Sequence, residues 1–262
     1  MKISPTLIDL SPKQEQWLDL VFSLTKKRIK TQYKHTKLGF LWVIINPLLQ
    51  MITIGLIFQF FLPFKIDNYY LFLFSGLLPW SFFSAAISRT TNIIVDERQL
   101  IQKAKFPKEI IVLSSVLASF FDLIFSLLLL IVFFVGQVII KITPTTDVAL
   151  LITKIALVIP LLIWILTLTT GLALFFSAIQ VKRRDTNFMV KSILPLWFYA
   201  TPIIYQVKFL PDAMRFWLYL NPLTAIIENF HYILLENFSY QIKNLFELNL
   251  MSVALTLAIT FF

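Results

Sequence analysis

Residues Ile110–Ile140 read IIVLSSVLASFFDLIFSLLLLIVFFVGQVII, and this stretch decides the fold. It contains a single charged side chain, Asp122. A helix needs about 20 predominantly apolar residues to cross the hydrocarbon core of a bilayer, and this stretch is longer than that. We therefore expect Ile110–Ile140 to cross a membrane as a helix.

The composition of the whole chain also indicates a membrane protein. Of its 262 residues, 58% are hydrophobic and 14% are charged, and the mean hydropathy is +0.80. Soluble domains carry about a quarter charged residues, so this chain lacks the polar surface that a soluble enzyme needs. The absence of cysteine excludes disulfides, thiolate metal sites and cysteine nucleophiles. Residues 1–9 lack the features of a secretory signal peptide, so the first apolar span is expected to remain as an anchor.

Six apolar stretches are long enough to cross a bilayer, two of them marginally. They predict an all-α polytopic membrane domain over residues 38–262, preceded by a cytoplasmic segment over 1–37. The second and fifth stretches are short and contain prolines, which predicts kinked helices supported by neighbouring helices. The predicted spans are Leu38–Leu62, Tyr70–Ile87, Ile110–Ile140, Val148–Val181, Phe188–Tyr205 and Leu245–Phe262.

The basic residues are distributed asymmetrically about these spans. Of the 23 Lys and Arg residues, 17 lie before the first span, between the second and third, or between the fourth and fifth. Positive charge accumulates in cytoplasmic loops, so we expect a multi-pass protein of the cytoplasmic (inner) membrane with its N terminus in the cytoplasm. The net charge of +9 is then explained by topology, and we expect no nucleic-acid partner.

Two segments fit neither a loop nor a span. Ser11–Gln14 has the form of a helix-capping box, and Trp17, Val21 and Leu24 then recur on one face, which predicts an amphipathic helix on the cytoplasmic membrane surface. Residues 209–237 are apolar, but prolines divide them into two pieces that are too short to cross. These pieces are predicted to be re-entrant or interfacial helices on the outer side.

The sequence offers little chemistry of its own. It contains no G-x-x-x-x-G-K-[ST] loop for ATP, no H-E-x-x-H zinc motif and no G-x-S-x-G nucleophile motif. His35 and His231 fall on opposite sides of the predicted membrane, so we predict a structural role for each and no metal or catalytic site. We therefore expect a chain that is not an enzyme and that holds no cofactor.

Three acidic residues lie in apolar segments, and each has two alternative roles. Asp122 lies inside a predicted span without a companion Lys, Arg or His at helical spacing, which favours a structural polar contact over a proton or substrate contact. Glu228 and Glu236 lie in the outer segment, where they either position it or face solvent.

Aromatic side chains are abundant in the first, second and fifth predicted spans. Most of the chain's aromatic residues are expected to face lipid or to form the interfacial belt of Trp and Tyr. The alternative is a glycan conduit, because aromatic planes pack against the C–H faces of sugar rings. The candidates for such a conduit are Phe58, Phe61, Trp80, Trp197, Phe198, Tyr199 and Tyr205.

The segment between the second and third predicted spans is rich in charge. Asp96–Lys105 reads DERQLIQKAK and is predicted to form a short helix that ends at Phe106-Pro107. Arg183-Arg184-Asp185 has a similar character in the next cytoplasmic loop. Each segment is either a solvated connector or a docking surface for a cytoplasmic partner.

Short motifs follow one another in a characteristic order between about residue 28 and residue 231. They are Tyr33-Lys34, Thr36, Leu38-Gly39, Trp42, Pro47, Gly76, Pro79-Trp80, Lys105-Phe106-Pro107, Arg184-Asp185, Thr201-Pro202-Ile203-Ile204-Tyr205, Leu210-Pro211 and Leu220-Asn221-Pro222-Leu223. The ordered set resembles the membrane subunits of polysaccharide-exporting ATP-binding-cassette transporters. The sequence departs from that pattern at His231, where related chains often have Arg, and it ends at Phe262 without the usual basic tail, which suggests truncation.

The resemblance implies a six-span permease that forms a homodimer and pairs with two separate ATPase subunits. These subunits would bind ATP and Mg²⁺, and the complex would export a lipid-linked glycan such as O-antigen, capsule or teichoic acid. In this resemblance residues 96–108 correspond to a coupling helix, residues 13–30 to an interfacial helix and residues 209–237 to outer gate helices. The implied ATPase-coupling residues are Glu97, Arg98, Leu100, Lys103, Phe106, Arg184 and Asp185, and the implied outer-gate residues are Pro211, Asn221, Pro222 and Glu228.

Three other functions remain as alternatives. An ion-driven carrier or channel needs paired charges inside the membrane, and the sequence offers only Asp122. A membrane enzyme that modifies glycans needs a cluster of acidic or His residues on one face, and we find none. A permease that exports drugs or free lipids is the third alternative, and the sequence distinguishes it from a glycan exporter only through the aromatic content.

Overall fold

The computed structural model describes residues 12–34, 37–61, 66, 68–103, 106–140, 148–235 and 242–261. This part of the chain is helical and contains no β-strand, which confirms the predicted all-α class. Its α-helices are α1 (Pro12–Tyr33), α2 (Trp42–Phe61), α3 (Tyr69–Thr91), α4 (Ile93–Asp96), α5 (Arg98–Lys103), α6 (Glu109–Ile140), α7 (Val148–Lys182), α8 (Thr186–Tyr199), α9 (Asp212–Tyr219), α10 (Pro222–Leu234) and α11 (Ile242–Phe261).

Four helical stretches in the described ranges are long and apolar enough to cross a membrane. They correspond to the first four predicted spans, and they are Gly39–Phe58, Tyr69–Thr91, Glu109–Val132 and Ala156–Lys182. α8 has only 14 residues and ends at Tyr199, whereas the sequence predicts a span as far as Tyr205. It ends there because the hydroxyl of Thr201 donates to the carbonyl of Trp197 at 2.8 Å, and Pro202 has no N–H with which to continue the helix.

The core is built around α3. Of its most apolar window, 72% is buried, and it packs against α2, α6, α7, α8 and α10. Phe72, Leu73, Leu77, Phe83 and Ile87 are all fully buried on this helix. α3 continues through Pro79, because the surrounding helices support the position where proline removes a backbone hydrogen bond.

α2 has the opposite character, because only 17% of its most apolar window is buried. Leu49, Ile52 and Leu56 leave an apolar face uncovered along its length. α8 also exposes apolar side chains, with Phe188 and Leu196 each 70% exposed. In a soluble chain such faces would be covered, so both helices present surfaces suited to lipid or to a second membrane helix.

α1 lies against the first half of α6. Val21 is buried in this contact, and the hydroxyl of Thr25 lies 3.3 Å from the carbonyl of Ser114. Trp17, Leu18 and Phe22 are exposed on the other side. α1 is therefore amphipathic, with some of its apolar side chains still uncovered.

The predicted helix over 96–105 is replaced by two shorter ones. α4 ends at Asp96 and α5 begins at Arg98, with Glu97 between them outside helical geometry. The outer segment is divided as the prolines predict, although the first piece, α9, is only eight residues long and the second, α10, has 13.

Gly171 permits close contact between α7 and α11. A Cβ atom at this position would lie 2.7 Å from the Cγ2 of Thr260 and 3.0 Å from its Cα. Because the second distance is to backbone, the clash cannot be relieved by a side-chain rotation.

We therefore expect Gly171→Leu to separate α11 from α7. Overpacking of this kind costs about 1–3 kcal/mol. Thermal unfolding of the purified protein in detergent should show a lower midpoint. Ala156→Leu introduces the same side chain at an exposed position of α7 and should leave the midpoint unchanged, and equal midpoints for the two variants would contradict the contact.

Candidate functional site

The segment that contains α4 and α5 is fixed to α1 by an ion pair. The Nη2 of Arg28 lies 3.1 Å from the Oε1 of Glu97, and the Nε of Arg28 lies 3.3 Å from the hydroxyl of Ser114. Burial lowers the pKa of Arg28, while the Glu97 carboxylate acts in the opposite direction. An arginine keeps its charge despite such a shift, so Arg28 needs its acidic partner. α1, α5 and α6 are therefore joined at one point.

A second polar cluster lies one turn further along α1. The hydroxyl of Tyr33 donates to Asp122 at 3.0 Å, and the amide of Gln32 donates to the same carboxylate at 3.2 Å. The Nη1 of Arg89 lies 3.9 Å from Asp122 and donates to the amide oxygen of Gln32 at 2.9 Å and the hydroxyl of Ser119 at 3.3 Å. Burial and the Asp122 carboxylate raise the pKa of Tyr33, so its hydroxyl remains a donor.

This cluster gives Asp122 the partners that its own helix lacks. Arg89 comes from α3, and Gln32 and Tyr33 come from α1, so no spacing along α6 reveals them. The geometry matches the structural alternative for Asp122, a polar contact between helices.

The corner between α3 and α4 is tied to the connection between α7 and α8. The amide of Gln180 donates to the side-chain oxygen of Asn92 at 3.0 Å and to the carbonyl of Arg184 at 3.1 Å. Its own oxygen accepts from the backbone N–H of Asn187 at 2.8 Å. Asn92 also donates to Asp96 at 2.5 Å. Through Gln180, the two charged cytoplasmic segments of the sequence become neighbours.

The predicted coupling residues divide into anchors and exposed groups. Leu100 and Phe106 are partly buried against the core, whereas Arg98 and Lys103 are exposed. Arg184 and Asp185 are exposed in the α7–α8 connection. This arrangement leaves charged side chains on a surface that is held in place by apolar contacts beneath it.

Several of the predicted conduit aromatics pack against one another between α3 and α8. The ring centroids of Trp80 and Phe198 are 5.5 Å apart, those of Phe83 and Trp197 are 5.2 Å apart, and Phe198 and Tyr199 are also 5.2 Å apart. Trp80 is buried and Tyr199 is 61% exposed. These rings therefore contribute mainly to helix packing.

Of the other predicted aromatics, only Tyr205 contacts this group in the described part of the chain. The hydroxyl of Tyr205 donates to the carbonyl of Tyr199 at 3.1 Å, and Trp197 and Tyr205 line an outer cavity of 330 Å³ together with α9. Phe58 packs against the core, and the side chain of Phe61 lies outside the described part of the structure.

Asn221 organises the outer segment. Its side-chain oxygen accepts from the backbone N–H of Leu223 at 3.1 Å and from the indole of Trp197 at 3.0 Å, and its amide donates to Thr201 at 2.9 Å. Pro222 occupies the first turn of α10, which suits a residue without an N–H. The predicted gate residue Pro211 precedes α9 and is exposed.

Glu228 and His231 are both fully buried on α10. The predicted alternative of a solvated Glu228 is therefore wrong, because helix packing covers it, while Glu236 lies outside the described residues. The Nδ1 of His231 lies 2.8 Å from the hydroxyl of Ser75, and its ring stacks on Phe72 at 4.0 Å. These contacts agree with the structural role predicted for His231, and His35 is outside the described part. In the described ranges no three His, Asp or Glu side chains form a group that could hold a metal.

A polar cavity of 480 Å³ lies next to the Asp122 cluster and was not anticipated from the sequence. It is enclosed by α1, α2, α3, α6 and one residue of α8. Its hydroxyl, amide and indole groups come from Trp42, Asn46, Gln50, Trp80, Ser81, Ser84, Ser88, Ser119 and Ser126.

Sequence reasoning also missed Arg28, Arg89, Asn92 and Gln180 as interacting groups. Arg28 and Arg89 were counted only as topology signals. For the polar cavity, the sequence offers one signal. Trp42, Asn46 and Gln50 recur every four residues in an otherwise apolar span, so they share one face of the helix.

We expect the Arg28–Glu97 pair to stabilise the contact between α1 and α5 by about 1 kcal/mol, since both side chains are only partly exposed. Arg28→Gln and Glu97→Gln should each lower the midpoint of thermal unfolding. The double variant should lower the midpoint by less than the sum of the two single changes, because the second change removes a side chain that has already lost its partner. Strictly additive losses would show that the two side chains do not interact.

The sequence of the chain matches a known protein family and several known proteins. Residues 19–235 match the ABC-2 type transporter family. The chain is 33% identical over 236 residues to the O-antigen export system permease protein RfbA of Myxococcus xanthus, covering 88% of this chain and 86% of that protein. A Klebsiella pneumoniae protein of the same name is 30% identical, covering 80% and 77%, and the polysialic acid transport protein KpsM of Escherichia coli is 23% identical, covering 79% and 78%. The chain belongs to the ABC-2 type transporter family.

Proposed function

We propose that the chain is the permease subunit of an ATP-driven exporter that moves a lipid-linked polysaccharide across the cytoplasmic membrane. The cargo is a glycan of the O-antigen, capsule or teichoic-acid type. The observation that carries the proposal is the 33% identity, over 88% of the chain, to a permease of O-antigen export. The ordered motifs and the absence of a nucleotide-binding loop from the sequence support it.

The proposed architecture has six spans. α8 and α11 supply the fifth and sixth in addition to the four longest apolar helices. The N terminus lies in the cytoplasm, where α1 rests on the membrane surface with Trp17 and Phe22 facing the lipid headgroups. α9 and α10 lie on the outer side as gate helices.

A homodimer completes the conduit in this proposal. The uncovered apolar faces of α2 and α8 are the surfaces available for a second copy. Trp197, Tyr199 and Tyr205 lie at the outer end of these surfaces, where their rings suit the C–H faces of sugars. Parting of the two copies along α2 and α8 opens the path.

The energy for export comes from two cytoplasmic ATPase subunits that bind ATP and Mg²⁺. Arg98, Lys103, Arg184 and Asp185 form the surface on which an ATPase subunit docks, since they are exposed on segments that Asn92 and Gln180 hold together. The ATPase biases two packings of the permease by contacting them differently, which is the requirement for any coupled conformational change.

Two alternatives are less well supported. A drug or free-lipid exporter of the same class would share the fold, but the relatives compared above are proteins of O-antigen export and polysialic acid transport. An ion-coupled carrier needs an available intramembrane charge, and Asp122 is already bound by Tyr33 and Gln32.

Deletion of the gene should abolish the surface glycan and leave the completed lipid-linked polymer inside the cell. The wild-type gene should restore export, but not in a cell whose partner ATPase carries an inactivating change in its nucleotide-binding lysine. Immunoblotting of surface and total glycan measures both effects. Export that continues without a functional ATPase would favour the ion-coupled alternative.

The double variant Leu100→Asp with Phe106→Asp should insert into the membrane but lose export. The two apolar side chains anchor the docking surface to the core, so charged replacements should displace it. Surface glycan and ATPase activity of the purified complex provide the readouts. Gln99→Asp with Gln102→Asp adds the same charge at exposed positions of α5 and should retain export; equal loss in both double variants would contradict a specific anchoring role.

A further inference from the structure

The polar cavity beside Asp122 contains more hydrogen-bonding capacity than the protein uses. Asn46 and Gln50 line its exposed side, and their amides make no hydrogen bond within the described ranges. The hydroxyl of Ser81 is shielded from solvent and also has none among the described residues. Unpaired polar groups at membrane depth are costly, so the cavity is suited to a polar occupant.

Three helices supply these groups at helical spacing. α2 contributes Trp42, Asn46 and Gln50, and α6 contributes Ser119, Asp122 and Ser126. α3 contributes Ser81, Ser84 and Ser88 from its second half. Residues spaced by three or four along a helix share one face, so each helix turns a polar face towards the same space.

The chemistry of the lining matches a neutral sugar. Amides and hydroxyls both donate and accept, as sugar hydroxyls do, and the partly buried indole of Trp42 can pack on the C–H face of a ring. The two charges on the wall, Arg89 and Asp122, are opposite and lie 3.9 Å apart, so they offer little net attraction to an ion. An acyl chain would leave the polar groups unpaired.

We propose that this cavity is a binding site for a sugar residue of the exported glycan at the cytoplasmic half of the membrane. The inference rests on the proposed function and adds a site that shares only Trp80 with the candidate aromatic residues of the conduit. The volume of 480 Å³ lies within the range of about 300–1,000 Å³ usual for small-molecule sites. In the proposed topology the site lies on the side where the glycan is made.

Photocrosslinking in cells that contain the complete exporter tests the site directly. The photoreactive amino acid p-benzoylphenylalanine is placed at Gln50, which lines the cavity, and at Ile163, which is exposed on α7 away from the cavity and the proposed conduit. We expect an adduct that an antibody against the cell's surface glycan recognises at Gln50 and not at Ile163. Adducts with phospholipid alone at Gln50, or no glycan adduct there whether or not export continues, would overturn the proposal.

A paired substitution provides the second test. Asn46→Leu with Gln50→Leu makes α2 more apolar, so membrane insertion should be preserved while surface glycan falls about tenfold. Thr167→Val removes a polar group from an exposed position of α7, outside the cavity and the proposed conduit, and should retain export. Normal export by the double leucine variant would overturn the site. If gene deletion abolishes surface glycan but both tests fail, only the cavity is wrong; if deletion leaves the glycan on the surface, the proposed function is wrong.

Discussion

The structure depends on the requirement that a backbone in hydrocarbon satisfies its hydrogen bonds within its own segment. Helices meet this requirement by themselves, so the side chains decide which faces pack together. α3 shows the result most clearly, because it is buried on most sides and five other helices pack against it. Glycines such as Gly76 permit the closest contacts, since a Cβ there would lie 2.9 Å from the ring of His231.

The same requirement determines where polar side chains lie. Those on the apolar helices turn inward or towards the helix ends next to α4 and α5, as with Asp122 between α1 and α6 and Gln180 at the α3–α4 corner. Each makes contacts between segments that are distant in sequence. The polar groups therefore specify which helices meet at the end of the bundle that contains α4 and α5, whereas apolar burial stabilises the centre of the bundle.

The all-α class and the first four spans were predictable because long apolar runs are a local property of the chain. The end of α8 and the break at Glu97 could not be predicted in this way. Both depend on hydrogen bonds and packing, which the local composition of the sequence does not show. A conduit role for the aromatic residues stays a prediction, and their ring contacts across α3 and α8 are tertiary contacts that the sequence does not contain. The polar cavity was missed for the same reason, because its lining comes from five helices.

α1 connects the charged segment that contains α4 and α5 to the wall of this cavity. Arg28 and Gln32 are four residues apart and thus lie on one face of the helix. Arg28 holds Glu97 beside α5, while Gln32 binds both Arg89 and Asp122 on the cavity wall. A helix transmits displacement along its axis because its own hydrogen bonds resist bending over one turn. The charged segment and the Arg89–Asp122 wall are therefore linked by side-chain contacts at the two ends of a single turn of α1.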